Sequence, residues 1–342
     1  MTQTIESALG SLAKCSSSAA DVTLDSRLSE AQALLRDDLS WVERTLRDSA
    51  GVGPSPGSDA ARHLVALGGK RVRPMALLLS SACFGAVPEA SRQLAVCVEL
   101  IHSATLLHDD VIDEGTERRG QAAARMVWGN AVSVLGGDLL LTHALLMAQK
   151  HAPALMPSLL GMLRRLVDGE IVQLRGRSEL EVSEAVYFSI LRDKTAALFR
   201  FATSAGAELA GASARSQGLL ADFGECIGMA FQLVDDLLDY AGDGTGKTMF
   251  ADLRQGKLTL PLVLAVADDP DLLRGIERIR AGDHGALAPL RERVIASGAC
   301  ARVTSRALGY TLRAKEHLDQ LPPSPARSLL RTVADQLAER SR

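Results

Sequence analysis

Two short acidic groups have the spacing most suggestive of chemistry. In LLHDDVIDEGTERRG, Asp109, Asp110 and Asp113 stand at i, i+1 and i+4. On a helix, Asp109 and Asp113 therefore share a face one turn apart, with Asp110 beside them. The pattern returns in FQLVDDLLDY as Asp235, Asp236 and Asp239. Leu106, Leu107, Val111 and Ile112 surround the first group, and Leu233, Val234, Leu237 and Leu238 the second. Carboxylates in such apolar surroundings must neutralise or find cations. Hard oxygen ligands this close together suit Mg²⁺, which keeps several waters and takes one or two carboxylates together with substrate phosphates. One such cluster alone reads as a solvated helix face, but two copies point to metal ions stabilising a diphosphate as it leaves.

A diphosphate also calls for cationic side chains. Lys70, Arg71 and Arg73 follow Gly68-Gly69 in GGKRVRP, where the backbone can approach an anion closely. Arg118 and Arg119 follow Asp113 and precede Gly120, and Lys247 and Lys257 lie beyond the second acidic group. Each alone is an ordinary surface charge; their placement beside acids and glycines is what raises their significance. GDGTGKT is superficially like a nucleotide-binding loop, but that pattern needs glycine at position 241, which is Ala241, and a preceding strand. The seven histidines show no metal-ligand spacing, and His102 and His108 read as helix residues with local hydrogen bonds.

The elements that must position these residues are helices. Leu28, Ala31, Leu35, Leu39, Val42 and Leu46 recur every three or four positions, predicting an amphipathic helix over 25–48, and GVGPSPGSD at 51–59 is a loop. Pro74 suits the first turn of the helix after the glycine-basic segment. No proline occurs between Pro88 and Pro153 or between Pro157 and Pro261, and Ala and Leu dominate there, as in long helices. LAVCVELIHSATLLH and ADFGECIGMAFQLV are apolar nearly all round, as central helices of a bundle are. The expectation is one all-α domain over 25–342 after a flexible tail at 1–24.

Bulk properties remove several classes. With 342 residues, 47% of them hydrophobic, the chain can bury a sizeable core. Thirty-eight Lys and Arg against 41 Asp and Glu leave a net charge of −3, unlike the footprint of a nucleic-acid binder. Five dispersed cysteines with no C-x-x-C pair fit a reducing, cytoplasmic setting. No secretory signal and no membrane span are expected.

Taken together, GGKRVRP, ELIHSATLLHDDVIDEGTERRG, WGNAVSVLGGD, GEIVQL, RDKTAALFR, AFQLVDDLLDY and GKTMFADLRQGKLTLP occur in the order and at the separations of a known family. From about residue 28 to its end the chain resembles the trans-isoprenyl (polyprenyl) diphosphate synthases. The resemblance implies an isoprenoid synthase-type all-α bundle with a central cavity, usually a homodimer. It also implies condensation of isopentenyl diphosphate with an allylic prenyl diphosphate, with three Mg²⁺ ions at the allylic diphosphate.

Residue by residue, the resemblance assigns Lys70, Arg73, His102 and Arg119 to isopentenyl diphosphate. Asp109, Asp110, Asp113, Asp235, Asp236 and Asp239 become metal ligands. Arg118, Lys194, Lys247 and Lys257 neutralise the allylic diphosphate, and Thr195 and Gln232, with Lys194, face the developing allylic cation. Two departures stand out: Thr116 replaces an acidic residue usual in the family, and the segment from Asp239 to Lys247 is slightly short. Family logic places the wall of the product pocket upstream of Asp109, at Thr105, Ala104 and Ile101, four, five and eight positions before it. Without an aromatic at 104 or 105, the product should exceed fifteen carbons. A terpene cyclase would not need GGKRVRP and Arg119, a non-catalytic subunit would tolerate a degraded acidic motif, and a plain helical scaffold would explain neither cluster.

Overall fold

The computed structural model describes residues 21–180, 182–240, 253 and 257–340. Among them the fold is all-α, with one two-stranded hairpin. The first helices are α1 (Asp21–Ala50), α2 (Gly57–Ala66), α3 (Val72–Ala82) and α4 (Glu89–Ile112). Strands β1 (Glu117–Arg118) and β2 (Gln121–Ala122) follow, then α5 (Ala124–Trp128), α6 (Asn130–His151) and α7 (Met156–Glu179). The chain continues through α8 (Glu184–Ile190), a π-helical segment at Leu191–Ala196, α9 (Ala197–Leu209) and α10 (Ala214–Leu238). The last helices are α11 (Leu260–Asp268), α12 (Leu272–Arg280), α13 (Leu287–Ala296), α14 (Ala299–Asp319) and α15 (Pro325–Arg340).

These helices divide into two compact units, each described by itself. The first comprises the described residues of 1–159, 202–220 and 321–332, and the second those of 160–201, 221–320 and 333–342. In the first unit α4 is the central helix: Leu94 to Val98, Leu100, Ile101, Ala104 and Leu107 are all buried, on every side of it. That is the all-round apolar pattern of a helix enclosed by neighbours. Gly206 on α9 lies so close to α3 that a Cβ there would sit 2.2 Å from the Leu77 carbonyl oxygen, so only glycine permits that crossing. In the second unit Leu260 and Leu262 to Val266 of α11, Ile276, Ile279, Val294 and Val303 belong to one buried apolar cluster with Met229, Leu233 and Val234.

Several boundaries differ from expectation. Helix α1 begins at Asp21 rather than Asp25, and Gly57, Ser58 and Asp59, expected in a loop, open α2. Pro74 lies in the first turn of α3, as its fixed φ favours. Helix α6 is long and apolar enough, by length and composition, to cross a membrane, and only part of it is buried. Asp138 interrupts it, which is why the sequence contains no comparable uncharged run.

Candidate active site

In the first unit, α4 ends inside its acidic motif. Asp109 and Asp110 lie in its last turn, Ile112 is its last residue, and Asp113 caps it while donating its N–H to the Asp109 carbonyl at 2.7 Å. The i, i+4 relation survives, but the third carboxylate sits just beyond the helix. The second motif, in the other unit, does the same: Asp235 and Asp236 fall in α10 and Asp239 one residue past its end. Helix carboxyl ends carry negative potential from unpaired carbonyls, so both motifs attract cations more strongly than mid-helix acids would.

The acids within each motif are not equivalent. Asp110 is 1% exposed and its Oδ1 accepts Arg118 Nε at 3.1 Å and also Arg118 Nη2. Asp236 is 3% exposed; it accepts the Tyr187 hydroxyl at 2.6 Å, Gln232 Nε2 at 3.1 Å and the Leu260 N–H at 3.0 Å. Asp109, Asp113 and Asp235 are only half-buried, while Asp239 is buried. The second carboxylate of each motif is thus held by protein donors.

A tight hairpin places the two arginines after the first motif. Glu117 pairs with Ala122 and Arg118 with Gln121, leaving Arg119 and Gly120 as a two-residue loop with φ of 55° and 76°. Positive φ at both positions is the signature of the hairpin turn whose twist matches paired strands. Thr116 closes its base, its carbonyl accepting the Ala123 N–H at 2.9 Å, so the unusual threonine sits where the main chain is what matters. Arg118 turns to Asp110. Arg119 instead reaches the glycine turn: a Cβ at Gly69 would lie 2.9 Å from Arg71 Nη1 and 3.1 Å from Arg119 Nη2. Two guanidinium groups therefore converge on the bare backbone of Gly69; Arg71 is bound there by Glu43 and Glu99, so Arg119 is the one placed to meet an anion.

Burial and these cations tune the surrounding groups. Burial pulls Arg73 down to about 10, against the attraction of Glu99. Burial, then repulsion from Arg71, lowers Arg119. His102 is pushed well below the ordinary imidazole value, first by burial and then by Arg73, Arg119, Arg71 and Arg118. It stays neutral at pH 7 and can bind an anion only by donating an N–H. The unfolded chain takes up a proton near the ordinary imidazole value of 6.5 that the folded chain refuses. This contribution to stability is therefore full above that pH and lost below it, by up to ~1.4 kcal/mol per pH unit. Thermal unfolding of His102→Asn between pH 7.5 and 5.5 should show a shallower acid loss than wild type; parallel profiles would refute the assignment.

In the second unit, the π-helical segment carries Lys194 and Thr195. Such segments recur at functional sites because they re-aim side chains within a continuous helix. Glycines allow it to sit close to its neighbours: a Cβ at Gly169 would lie 3.0 Å from the Lys194 nitrogen, and one at Gly228 2.6 Å from Ala196 Cα. Lys194 pairs with Glu170, and Thr195 Oγ1 donates to Gln232 Oε1 at 3.3 Å. Gln232 then donates to Asp236, so the residues expected to face the cation are wired to the second acidic motif. Lys257 is described and half-buried, whereas Lys247 lies outside the described residues. Ile101 and Ala104 are buried on α4; Thr105 is half-buried and donates its hydroxyl to the His102 carbonyl at 2.8 Å.

Sequence reasoning missed Glu170 and Tyr187 as partners of the site. Glu170 lay within GEIVQL, and Tyr187 stands seven residues, two helical turns, before Lys194, a spacing that puts both on one side.

The sequence model of the Polyprenyl synthetase family matches residues 57–287, which include both acidic motifs, the glycine turn and the π-helical segment. The chain belongs to the polyprenyl synthetase family. It is 33% identical over 321 residues to the short chain isoprenyl diphosphate synthase of Methanothermobacter thermautotrophicus, covering 91% of this chain and 99% of that one. It is 36% identical over 287 residues to the octaprenyl diphosphate synthase of Escherichia coli, covering 82% and 88%. The polyprenyl synthase of Caulobacter crescentus, solved with calcium and isoprenyl diphosphate, superposes with a TM-score of 0.85 at 36% identity, covering 91% and 98%. This member is accordingly a prenyltransferase of the polyprenyl diphosphate synthase class.

The donor set fits the divalent ion that this family uses. Asp110 Oδ2 is buried with no hydrogen-bond partner among the described residues, an acceptor that is costly to leave unmet. Among the described residues no three His, Cys, Asp or Glu side chains converge as a ready-made cage. Mg²⁺ bound largely through phosphate oxygens and water needs none.

Proposed function

We propose that this synthase condenses isopentenyl diphosphate with an allylic prenyl diphosphate, head to tail, giving a polyprenyl diphosphate longer than fifteen carbons. The observation that carries the reading is that one unit holds two different devices for phosphate. One is the glycine turn, where Arg119 reaches Gly69 and can grip an anion directly. The other is the carboxylate motif ending α4, which can hold an anion only through cations. A cyclase handling one diphosphate has use for the second device alone.

In this reading Lys70, Arg73, Arg119 and neutral His102 hold isopentenyl diphosphate, which is not cleaved. Asp109, Asp113 and Asp235, with Asp110, Asp236 and Asp239 behind or beside them, serve the allylic diphosphate, as do Arg118, Lys194, Lys247 and Lys257. Bound Mg²⁺, three ions in all, supplies Lewis-acid neutralisation of the diphosphate as it leaves. Thr195 and Gln232 offer oxygen dipoles to the allylic cation, the alkene attacks it, and the departing diphosphate is base enough to take the proton. Ala104 and Ile101 wall the product pocket.

The active species is a homodimer acting in the cytoplasm. Leu160, Val167, Ile171 and Leu174 form an apolar stripe along α7, 39–59% exposed, that a second copy would cover. Cys83, Cys97, Cys226 and Cys300 are free thiols, as a reducing compartment keeps them.

Purified chain incubated with Mg²⁺, isopentenyl diphosphate and allylic primers of several lengths should yield elongated products, identified by mass. No elongation without an added partner would favour a subunit role. Cyclic hydrocarbons formed without isopentenyl diphosphate would favour a cyclase.

A further inference from the structure

Beneath the glycine turn lies a buried acid outside the substrate groups named above. Glu99 is 3% exposed, one helical turn before His102 on α4, and accepts Arg71 Nη1 at 2.8 Å. Glu43 on α1 accepts Arg71 Nε at 2.9 Å and Nη2 at 3.4 Å, and the Val65 carbonyl lies 3.5 Å from Nη2. The guanidinium is thus tied to two helices and to the end of a third. Burial alone would lower Arg71, yet Glu99 and Glu43 outweigh it and the net shift is upward.

The main chain explains why the anchorage is needed. Arg71 precedes α3 in the left-handed region, φ 48°, which a side chain with a Cβ disfavours. Such a conformation persists only where its surroundings over-determine it. Lys70 is its chain neighbour, Arg73 follows two residues later, and its Nη1 packs on Gly69. Fixing Arg71 fixes the direction in which all of them face.

We propose that Glu99, acting through Arg71 and braced by Glu43, is the positioning residue of the isopentenyl diphosphate subsite. The proposal rests on the assignment of Lys70, Arg73, His102 and Arg119 to that diphosphate. A plain counter-charge makes the opposite prediction: removing a negative charge beside gathered cations would tighten anion binding. Positioning predicts that binding weakens although the site becomes more positive, because Lys70 and Arg73 lose their setting.

Initial-rate kinetics on folded enzyme separate the two. Glu99→Gln and Arg71→Gly should each raise KM for isopentenyl diphosphate about tenfold, with kcat within about threefold and KM for the allylic primer within about twofold. Arg71→Gly is the sharper case, since glycine suits φ 48° and would leave binding intact if only the backbone mattered. Arg73→Ala serves as the reference for the assignment itself. If Arg73→Ala raises that KM while Glu99→Gln and Arg71→Gly leave it unchanged or lower it, the positioning role is overturned and the assignment stands. If Arg73→Ala leaves it unchanged, the assignment falls and the positioning role with it. Should Glu99→Gln not fold, Arg71→Gly decides alone.

Discussion

Asp109→Asn lowers turnover by roughly a thousandfold while the protein stays folded, and Asp235→Asn does the same; these are the largest single-residue effects expected. Asparagine keeps the shape and hydrogen-bonding oxygen of the side chain but removes the charge that recruits a divalent ion. If each motif contributes about 4 kcal/mol of leaving-group stabilisation, the loss amounts to about three powers of ten. Both side chains are half-buried at helix ends, so the substitution leaves no deeply buried group unpaired. Elongation assays across a Mg²⁺ titration, with circular dichroism on the same samples, provide the measurement. Turnover within tenfold of wild type would refute the metal assignment.

Asp110 and Asp236 make poorer probes of the same idea, although their motifs present them as equals. Asp110→Asn weakens the pairing that holds Arg118, costing about 1–3 kcal/mol of stability. Asp236→Asn disturbs three donors at once, among them the first N–H of α11. A loss of activity there mixes metal binding with the setting of the site.

The contrast shows what was legible in the sequence. Long helices were, because proline is absent and apolar residues recur at helical spacing, and so was the pairing of acidic motifs with apolar helices. Where α4 and α10 stop was not: Asp113 and Asp239 fit the helical spacing as well as the residues before them. In the first case Glu114 at φ 53° and Gly115, where a Cβ would lie 3.2 Å from Asp110 Oδ1, help set the end. Strands of two residues have no period to detect, and only Arg119-Gly120 hinted at the hairpin. The Glu99 to Arg71 contact joins residues 28 apart and follows no pattern. Of the five boundaries between the two units, those at Leu159, Phe201 and Leu220 fall in apolar sequence with no composition shift, and only the one at Gln320 coincides with a proline-rich break, LPPSP.

Product length offers the second large effect. Ala104→Phe shortens the product by several isoprene units in a matched assay with wild type, provided Ala104 walls the pocket that receives the growing chain. Ala104 is 1% exposed and Ile101 fully buried, five and eight residues before Asp109. Burial of that degree suits a pocket wall, but it also suits an ordinary helix contact. The two differ in where the added ring would go. In a pocket wall the phenyl group projects into space reserved for the prenyl chain, so stability changes little and the product distribution moves sharply to shorter lengths. In a packed contact it has no room, and overpacking costs about 1–3 kcal/mol. Mass analysis of products and thermal unfolding on the same preparation read both consequences. Shorter products from a protein with near-normal stability place Ala104 in the wall; unchanged products from a destabilised protein place it in the core.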